Sequence, residues 1–433
     1  MEPGGEGNPR SGGVLATETP QRRGVWGGLR NTLAPLESRD FRILWFGISA
    51  HSFTLWMEIV ARNWLVYELT GSVVALGWIN FWRTIPVLFL AIPAGVIADR
   101  VNRKLILLTT QVTILGVYGL LLVLLLADAL ELWHAYALFF GRGVAITFNQ
   151  PPRQALIPAL VKPGQVPNAV AIQQFGFNGT RVFAPILTGG LFIVGGASAA
   201  FAVIVAVEVM IVIAWLVMRV PPVNTSGRDG ESREGAIRST VDGLQYAARH
   251  RVVLLLILFG LLSLLLLQPW STILPVLAAE KFGSGAGGYG SLISLSGVGS
   301  VIGPVAIVAL GGFRSKGAIV VGAMVLSGIT LMGVAVSPTL LLAMGLVVAL
   351  GLFDSAQRVL TNSLLLTQTD PAYHGRIVSL YLLDRGFVPI GAVIAGYLAE
   401  YLSPSTALLL LGGAMVLTVG LLAAVQPKFL YAR

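Results

Sequence analysis

From one end of the chain to the other, long apolar stretches alternate with short polar breaks. The apolar runs fall at 43–67, 72–97, 105–127, 132–150, 167–194, 197–218, 252–279, 286–311, 316–336, 339–366, 376–399 and 405–425. A helix needs roughly 20 apolar residues to cross the hydrocarbon layer of a bilayer, so the pattern predicts twelve membrane-spanning helices. Gly and Pro inside several runs do not count against this, because neighbouring helices can re-satisfy the backbone groups a kink sets free. The longest and most polar break, 219–251, carries RDGESREG and then AIRSTVDGLQYAARH, whose spacing suggests a short amphipathic surface helix. The predicted organisation is an N-terminal tail 1–40, a six-helix bundle 41–218, a connector 219–251, a second six-helix bundle 252–425 and a C-terminal tail 426–433. The fold class is all-α integral membrane, with twelve transmembrane helices in two pseudo-symmetric six-helix bundles.

Composition changes little in that picture and closes other doors. Of 433 residues, 55% are apolar and only 11% charged, with a mean hydropathy of +0.80, whereas soluble domains carry about one quarter charged residues. The chain has no Cys and four His, which removes thiol and iron–sulfur chemistry and most zinc sites; neither a metal nor a cofactor is expected. The first 40 residues lack the apolar core of a signal peptide. A net charge of +9 could point to nucleic acid, but location decides otherwise. With the N-terminus inside, only Lys281 of the 29 Lys and Arg falls in an outward loop, and Arg62, Arg83, Arg142, Arg181, Arg358 and Arg385 fall within spans. That is the positive-inside asymmetry of a multi-pass protein, and it places both termini in the cytoplasm. The lipid bilayer, and no nucleic acid, is therefore the partner that composition and charge predict.

An internal echo supports two equivalent halves. Arg181-Val-Phe-Ala-Pro-Ile186 recurs as Arg385-Gly-Phe-Val-Pro-Ile390, in the fifth and eleventh runs. The break Ala98-Asp99-Arg100-Val101-Asn102-Arg103-Lys104 after run 2 has a weaker counterpart, Gly311-Gly312-Phe313-Arg314-Ser315-Lys316, after run 8. Parallel repeats of this kind build one class of secondary transporter.

Charged side chains at mid-membrane cost about 2.5–3.5 kcal/mol each on insertion scales, so each needs a partner or a wet cavity. Four acids fall within runs: Glu58, Glu208, Asp354 and Asp384. Glu58 and Arg62 are spaced i,i+4, as are Asp354 and Arg358, so acid and base can meet on one helix face. Each pair could simply make its helix insertable. His51, Thr54 or Leu55, Glu58 and Arg62 form a largely polar stripe, which points to a cavity. Gln174, Asn178 and Arg181 form a second stripe, read either as cavity lining or as a hydrogen-bonded seam between helices. Asp384 and Arg385 are adjacent, about 100° apart around a helix, so one of them pairs across helices. Glu208 has no base within four residues, which suits a protonated or interhelically bonded acid. The acid Asp99, among Arg100, Arg103 and Lys104, can meet the positive end of a neighbouring helix and act as a latch at the cytoplasmic face; simple anchoring explains the bases but not the acid.

Gly95-Val-Ile-Ala-Asp99-Arg100-Val-Asn-Arg103-Lys104 resembles the loop 2–3 signature of the major facilitator superfamily, Gly-x-x-x-Asp-Arg-x-Gly-Arg-Arg/Lys. Asn102 replaces the usual inner Gly, a position where Asn tolerates a left-handed turn. Trp56-Met-Glu-Ile-Val-Ala-Arg-Asn-Trp-Leu-Val-Tyr-Glu-Leu-Thr-Gly-Ser72, Ala155-Leu-Ile-Pro-Ala-Leu-Val161 leading to Pro167-Asn168-Ala169, and Gly375-Arg-Ile-Val-Ser-Leu-Tyr381 are similar to the enterobactin-exporter and macrolide-efflux branch. The resemblance covers 38–425. It implies a central cavity open alternately to each side and proton-driven export of amphipathic compounds, with a small-molecule substrate and a proton as the further expected partners and a monomer as the expected state. Arg142 resembles the span 4 arginine that the superfamily associates with proton coupling.

The expected functional residues are thus Glu58, Asp354, Asp384 and Arg142 for coupling. His51, Arg62, Gln174, Asn178, Arg181, Arg358 and Arg385 are expected at the substrate, and Gly95, Asp99, Arg100, Arg103 and Lys104 at the cytoplasmic gate. The leading expectation is a secondary active exporter in the cell membrane of a prokaryote. Competing expectations are an importer or uniporter of an organic solute or a lysolipid flippase on the same scaffold, and, from another class, a non-transporting sensor or membrane enzyme. The enzyme reading lacks a metal cluster, a Cys nucleophile and a His–acid constellation.

Overall fold

A computed structural model describes residues 32–220, 242–311, 315–374, 376–377 and 384–431. Every regular element among them is helical. Helix α1 (Arg39–Thr70) starts at Ser38, whose hydroxyl accepts from the Phe41 N–H, and stops at Gly71, whose φ of +62° is the left-handed conformation that ends helices at little cost to glycine. Helices α2 (Val73–Arg100), α3 (Arg103–Leu126), α4 (Leu132–Ala159) and α5 (Val166–Val217) complete the first half. The second half comprises α6 (Arg251–Leu262), α7 (Trp270–Val276), α8 (Gly285–Leu310), α9 (Lys316–Val336), α10 (Leu340–Gln368), α11 (Val388–Tyr401) and α12 (Pro404–Val425).

Among the described residues, nine helical segments are long and apolar enough to cross a membrane, against twelve apolar runs. Three features account for the difference. Runs 167–194 and 197–218 are two helices that follow one another directly, separated where the backbone leaves helical geometry at Gly195 and at Gly196, whose φ is +65°, and they count as one segment; α5 denotes the two together. The 132–150 run belongs to α4, which carries Arg142, Asn149 and Arg153 and is too polar to qualify. In the described part of the 376–399 run, the helix Val388–Tyr401 follows a 3-10 turn at Asp384–Phe387 and by itself is too short to qualify. The side chains of Asp384 and Arg385, with residues 378–383, lie outside the described residues.

Two local features add to the sequence pattern. The fourth helix does not stop with its apolar run at 150 but continues through Pro151, Pro152 and Pro158 to Ala159; packing by neighbours sustains it where isolated prolines would break it. Asn102 does not adopt a left-handed turn. Its φ is −55°, and its side chain caps α3 by accepting from the Lys104 N–H at 2.9 Å, a common role for Asn at a helix start.

In the first half α1 packs on α5, α2 on α4, and α3 on both α4 and α5; in the second, α8 packs on α10, and α9 on α10 and α12. The halves meet along α5–α8 and α2–α11. Counted in apolar runs, each seam joins a fifth-run helix to a second-run helix of the other half, the exchange that two copies of one six-run unit produce. Small residues allow the approach. A Cβ on Gly189 would stand 2.8 Å from the Ala286 carbonyl oxygen, and one on Gly77 would stand 2.8 Å from that of Ala392.

The apolar core is divided unequally along the helices. Near Gly71 one cluster, from Met57 and Val73 to Tyr289 and Leu408, spans both halves. At the opposite end the core splits: Phe41, Leu107, Leu156 and Trp215 pack within the first half, and Leu256, Met324, Leu364 and Phe429 within the second. The halves are therefore joined at the Gly71 end and separately packed at the other. The described end of the connector, residues 242–249, is helical and belongs with the second half. Its Tyr246 ring stacks on Tyr373 at 4.3 Å, and Asp242 pairs with Arg376 at 3.7 Å.

Candidate functional site

Two charged groups lie along the middle of the helices. The first is built around Glu58, whose carboxylate has no solvent exposure. Arg62, one turn on in α1, pairs with it. Arg83 from α2 brings Nε to 3.2 Å, and Arg142 from α4 brings a terminal nitrogen to 3.2 Å. Three guanidiniums from three helices thus converge on one carboxylate. Gly143 makes this possible: a Cβ there would lie 3.1 Å from the Arg83 carbonyl carbon and 3.2 Å from the Pro86 ring, so α4 approaches α2 closely just where both arginines leave their helices.

The remaining donors of the cluster are held in place. Arg62 donates to Asn80 Oδ1 at 2.8 Å and to Asn63 Oδ1 at 3.3 Å, and its guanidinium lies over the Phe139 ring at 5.5 Å. Arg142 Nε donates to the Tyr118 hydroxyl at 2.8 Å. Asn63 in turn donates to the hydroxyl of Tyr289 on α8, at 3.1 Å, and Trp64 stacks on that ring. The cluster is thereby wired to the second half at the Gly71 end.

Below it on α1, Thr54 donates to Glu208 Oε1 at 2.7 Å, and Gln111 donates to the other carboxylate oxygen. Glu208 is an interhelically bonded acid of α1, α3 and α5. His51 is buried, and its Nδ1 has no hydrogen-bond partner. The stripe His51, Thr54, Glu58, Arg62 is therefore enclosed within the first half in this conformation, and none of the four faces open space.

The second group lies between the halves. Asp354 and Arg358 pair on α10. Gln268, with its amide oxygen turned toward the guanidinium, accepts from Arg358 at 2.9 Å. From the first half, Arg181 on α5 lies close enough to feel the charges of both, with its guanidinium 4.9 Å from the centre of the Trp56 ring. Phe177 packs against the same tryptophan. Asn178 is half-buried near Arg181, and Gln174 is exposed one turn earlier.

The gate residues are placed unevenly. Asp99 sits in the last turn of α2, but its side chain lies outside the described residues; Gly95 is half-buried and Arg100 exposed. Arg103 Nε is buried without a partner. Lys104 donates to the carbonyls of Leu216 (2.9 Å) and Met218 (2.7 Å), closing the end of α5 within its own half rather than bridging the halves.

Reading the sequence left Arg83 without a role, although its intramembrane charge was the available signal. Asn63, Asn80, Tyr118, Tyr289 and Gln268 carry no charge, and nothing in their spacing marks them. Among the described residues no group of His, Cys, Asp and Glu could hold a metal ion.

An all-helical membrane protein of two joined halves, with buried charges along its centre, is a transporter architecture rather than an enzyme's. Residues 30–429 match the family described as transmembrane secretion effector, and the chain belongs to this efflux branch of the major facilitator superfamily. It is 24% identical over 353 residues to the staphyloferrin A transporter of Staphylococcus aureus, covering 80% of this chain and 86% of that one. It is 21% identical over 364 residues to macrolide efflux protein A of Streptococcus pyogenes, covering 83% and 89%. In fold it is similar to the nucleoside transporter NupG (TM-score 0.69, 14% identity, 89% of this chain and 98% of that chain). A POT family transporter in complex with 5-aminolevulinic acid is similar too (TM-score 0.72, 13% identity, 90% and 97%).

Proposed function

We propose that the protein is a proton-coupled exporter of amphipathic small molecules, of the siderophore or drug kind that its relatives' names describe, working by alternating access across twelve membrane crossings. Both termini lie in the cytoplasm, and the Gly71 end faces outward. The conformation with joined Gly71 ends and separate opposite ends is then the inward-facing one, ready to load from the cytoplasm.

The observation that carries the coupling is the carboxylate of Glu58 among three arginines. An ion pair near 4 Å is worth about 4 kcal/mol at an effective dielectric of about 20. Protonating Glu58 in place would remove three such attractions and leave three guanidiniums repelling one another. Proton uptake is therefore tied to a rearrangement of α1, α2 and α4. Arg62 is bonded to Asn63, and Asn63 to Tyr289 across the outer seam, so that rearrangement reaches the contact that must open to release substrate. Asp354, and Asp384 outside the described side chains, are the further candidate proton carriers, with Arg142 as the modulating base. The residues expected at the substrate are Arg181, Arg358, Asn178 and Gln174 between the halves, with Arg385. His51 and Arg62 would join them only in another conformation.

The test is flux in liposomes with an imposed pH gradient. Wild-type protein should accumulate a substrate against its gradient. Glu58→Gln should still exchange it down its own gradient and fail to accumulate it. Full pH-driven accumulation by this variant would move the proton site to Asp354 or Asp384. Reversing the pH gradient tests the importer reading in the same vesicles.

A further inference from the structure

We propose that the substrate is an anion, and that its carboxylate or phosphate is held between Arg181 of the first half and Arg358 of the second. The inference rests on the transporter reading and concerns the class of molecule carried.

Among the described side chains, fixed charge along the centre is unbalanced. Arg62, Arg83 and Arg142 share one carboxylate, Glu58, and the ion pairs among the described residues give them no second one. Between the halves, Arg358 pairs with Asp354, and Arg181 lies near them with no ion pair of its own among the described residues. Buried cations without counter-ions are costly in a low-dielectric interior. An anion entering this space relieves that cost, whereas a cationic substrate would add to it.

Geometry selects the second group as the point of contact. The Glu58 cluster is sealed except at Arg83, whose side chain is 19% exposed. Arg358 is 37% exposed. Arg181 has no carboxylate within ion-pair distance among the described residues, its Nε is buried without a partner, and so is Nε1 of Trp56 beneath it. Unmade hydrogen bonds at buried donors are expensive unless an absent partner completes them. The forked geometry of a guanidinium matches a carboxylate or phosphate, and the indole face of Trp56 holds Arg181 in position for it.

Because the two arginines belong to different halves, an anion held by both draws the halves together at the centre. A ligand shifts a conformational equilibrium only through its different affinity for the two states, and a bridge across the seam supplies that difference. Asp354, already on Arg358, limits the grip, so the anion can leave once the seam reopens.

The experiment measures thermal stabilisation of the purified full-length protein by acetate, succinate, citrate and glycerol 3-phosphate, with ethidium as cation and glycerol as neutral control. Chloride and ionic strength are held constant. At least one of the four anions should stabilise the wild type, and its apparent affinity should fall about tenfold or more in Arg181→Gln and in Arg358→Gln. Arg181→Lys should recover part of it and guards against a variant that simply unfolds. Stabilisation by ethidium and by no anion, stabilisation by none of the probes, or unchanged anion affinity in both Gln variants would overturn the assignment. The liposome assay separates this from the coupling proposal. Ethidium driven out by a pH gradient would leave coupled export standing and remove the anion alone; an anion that binds but never responds to the pH gradient would do the reverse.

Discussion

Removing the Glu58 carboxylate strands Arg62, Arg83 and Arg142 without a counter-ion, and breaking a buried pair from one side costs about 3–5 kcal/mol. Glu58→Gln should therefore melt at a lower temperature than wild type as well as lose coupling. The double variant Glu58→Gln/Arg83→Gln restores the original charge balance of the cluster. It should regain most of the lost thermal stability and remain uncoupled, because the titrating group is still missing. Recovery of coupling along with stability would show that the cluster is structural only. The acid of this site is legible in the sequence as an intramembrane charge with a base one turn away. The convergence of Arg83 and Arg142 is not, because it depends on how α2 and α4 cross at Gly143, a contact between residues about 60 positions apart that no helical period encodes.

Among the elements, apolar periodicity marks nearly every helix, and the separation of the fifth and sixth runs falls at the non-helical Gly195 and Gly196. Continuation of α4 through Pro151 and Pro152 is decided by packing partners, and hydropathy does not record it. Caps are similar: Lys104 reads as a positive-inside anchor, yet it bonds the last carbonyls of α5, a favourable place for a cation. Lys104→Met should destabilise the protein by about 1 kcal/mol, measured by thermal unfolding, whereas Arg100→Met should cost little. Equal effects would count against the cap. The seams make a sharper prediction. A side chain at Gly189 collides with α8 backbone 2.8 Å away, so Gly189→Leu should hold the Gly71 ends apart. A cysteine at Ser291, half-buried on α8 near this seam, should then label faster from outside the cell in that variant than in the parent.

For the whole molecule, alternating access requires that closing one end opens the other, and different groups stand at the two ends to serve as latches. At the Gly71 end Glu400 of α11 accepts from the first N–H groups of α2, Val73 at 2.7 Å and Val74 at 3.3 Å, and from the Ser72 hydroxyl, while Tyr67 donates to Glu280 at 3.1 Å. A carboxylate at a helix N-terminus is worth about 0.3–1 kcal/mol, up to about 2 kcal/mol when partly buried, enough to shift a near-balanced equilibrium by up to about thirtyfold. Glu400→Gln should therefore populate the outward-open state. Asp99 lies in the last turn of α2 at the opposite end; if it latches the inward-closed state, as its place among Arg100, Arg103 and Lys104 leads one to expect, Asp99→Asn should shift the population the other way. Spin labels at Ala129 and Pro338 report the Gly71 end, and labels at Lys162 and Pro371 report the other. Glu400→Gln should widen the first distance and narrow the second, and Asp99→Asn should do the opposite. If both variants move a distance in the same direction, the ends open independently, and a rocking exchange about the α2–α11 and α5–α8 seams is the wrong description of this transporter.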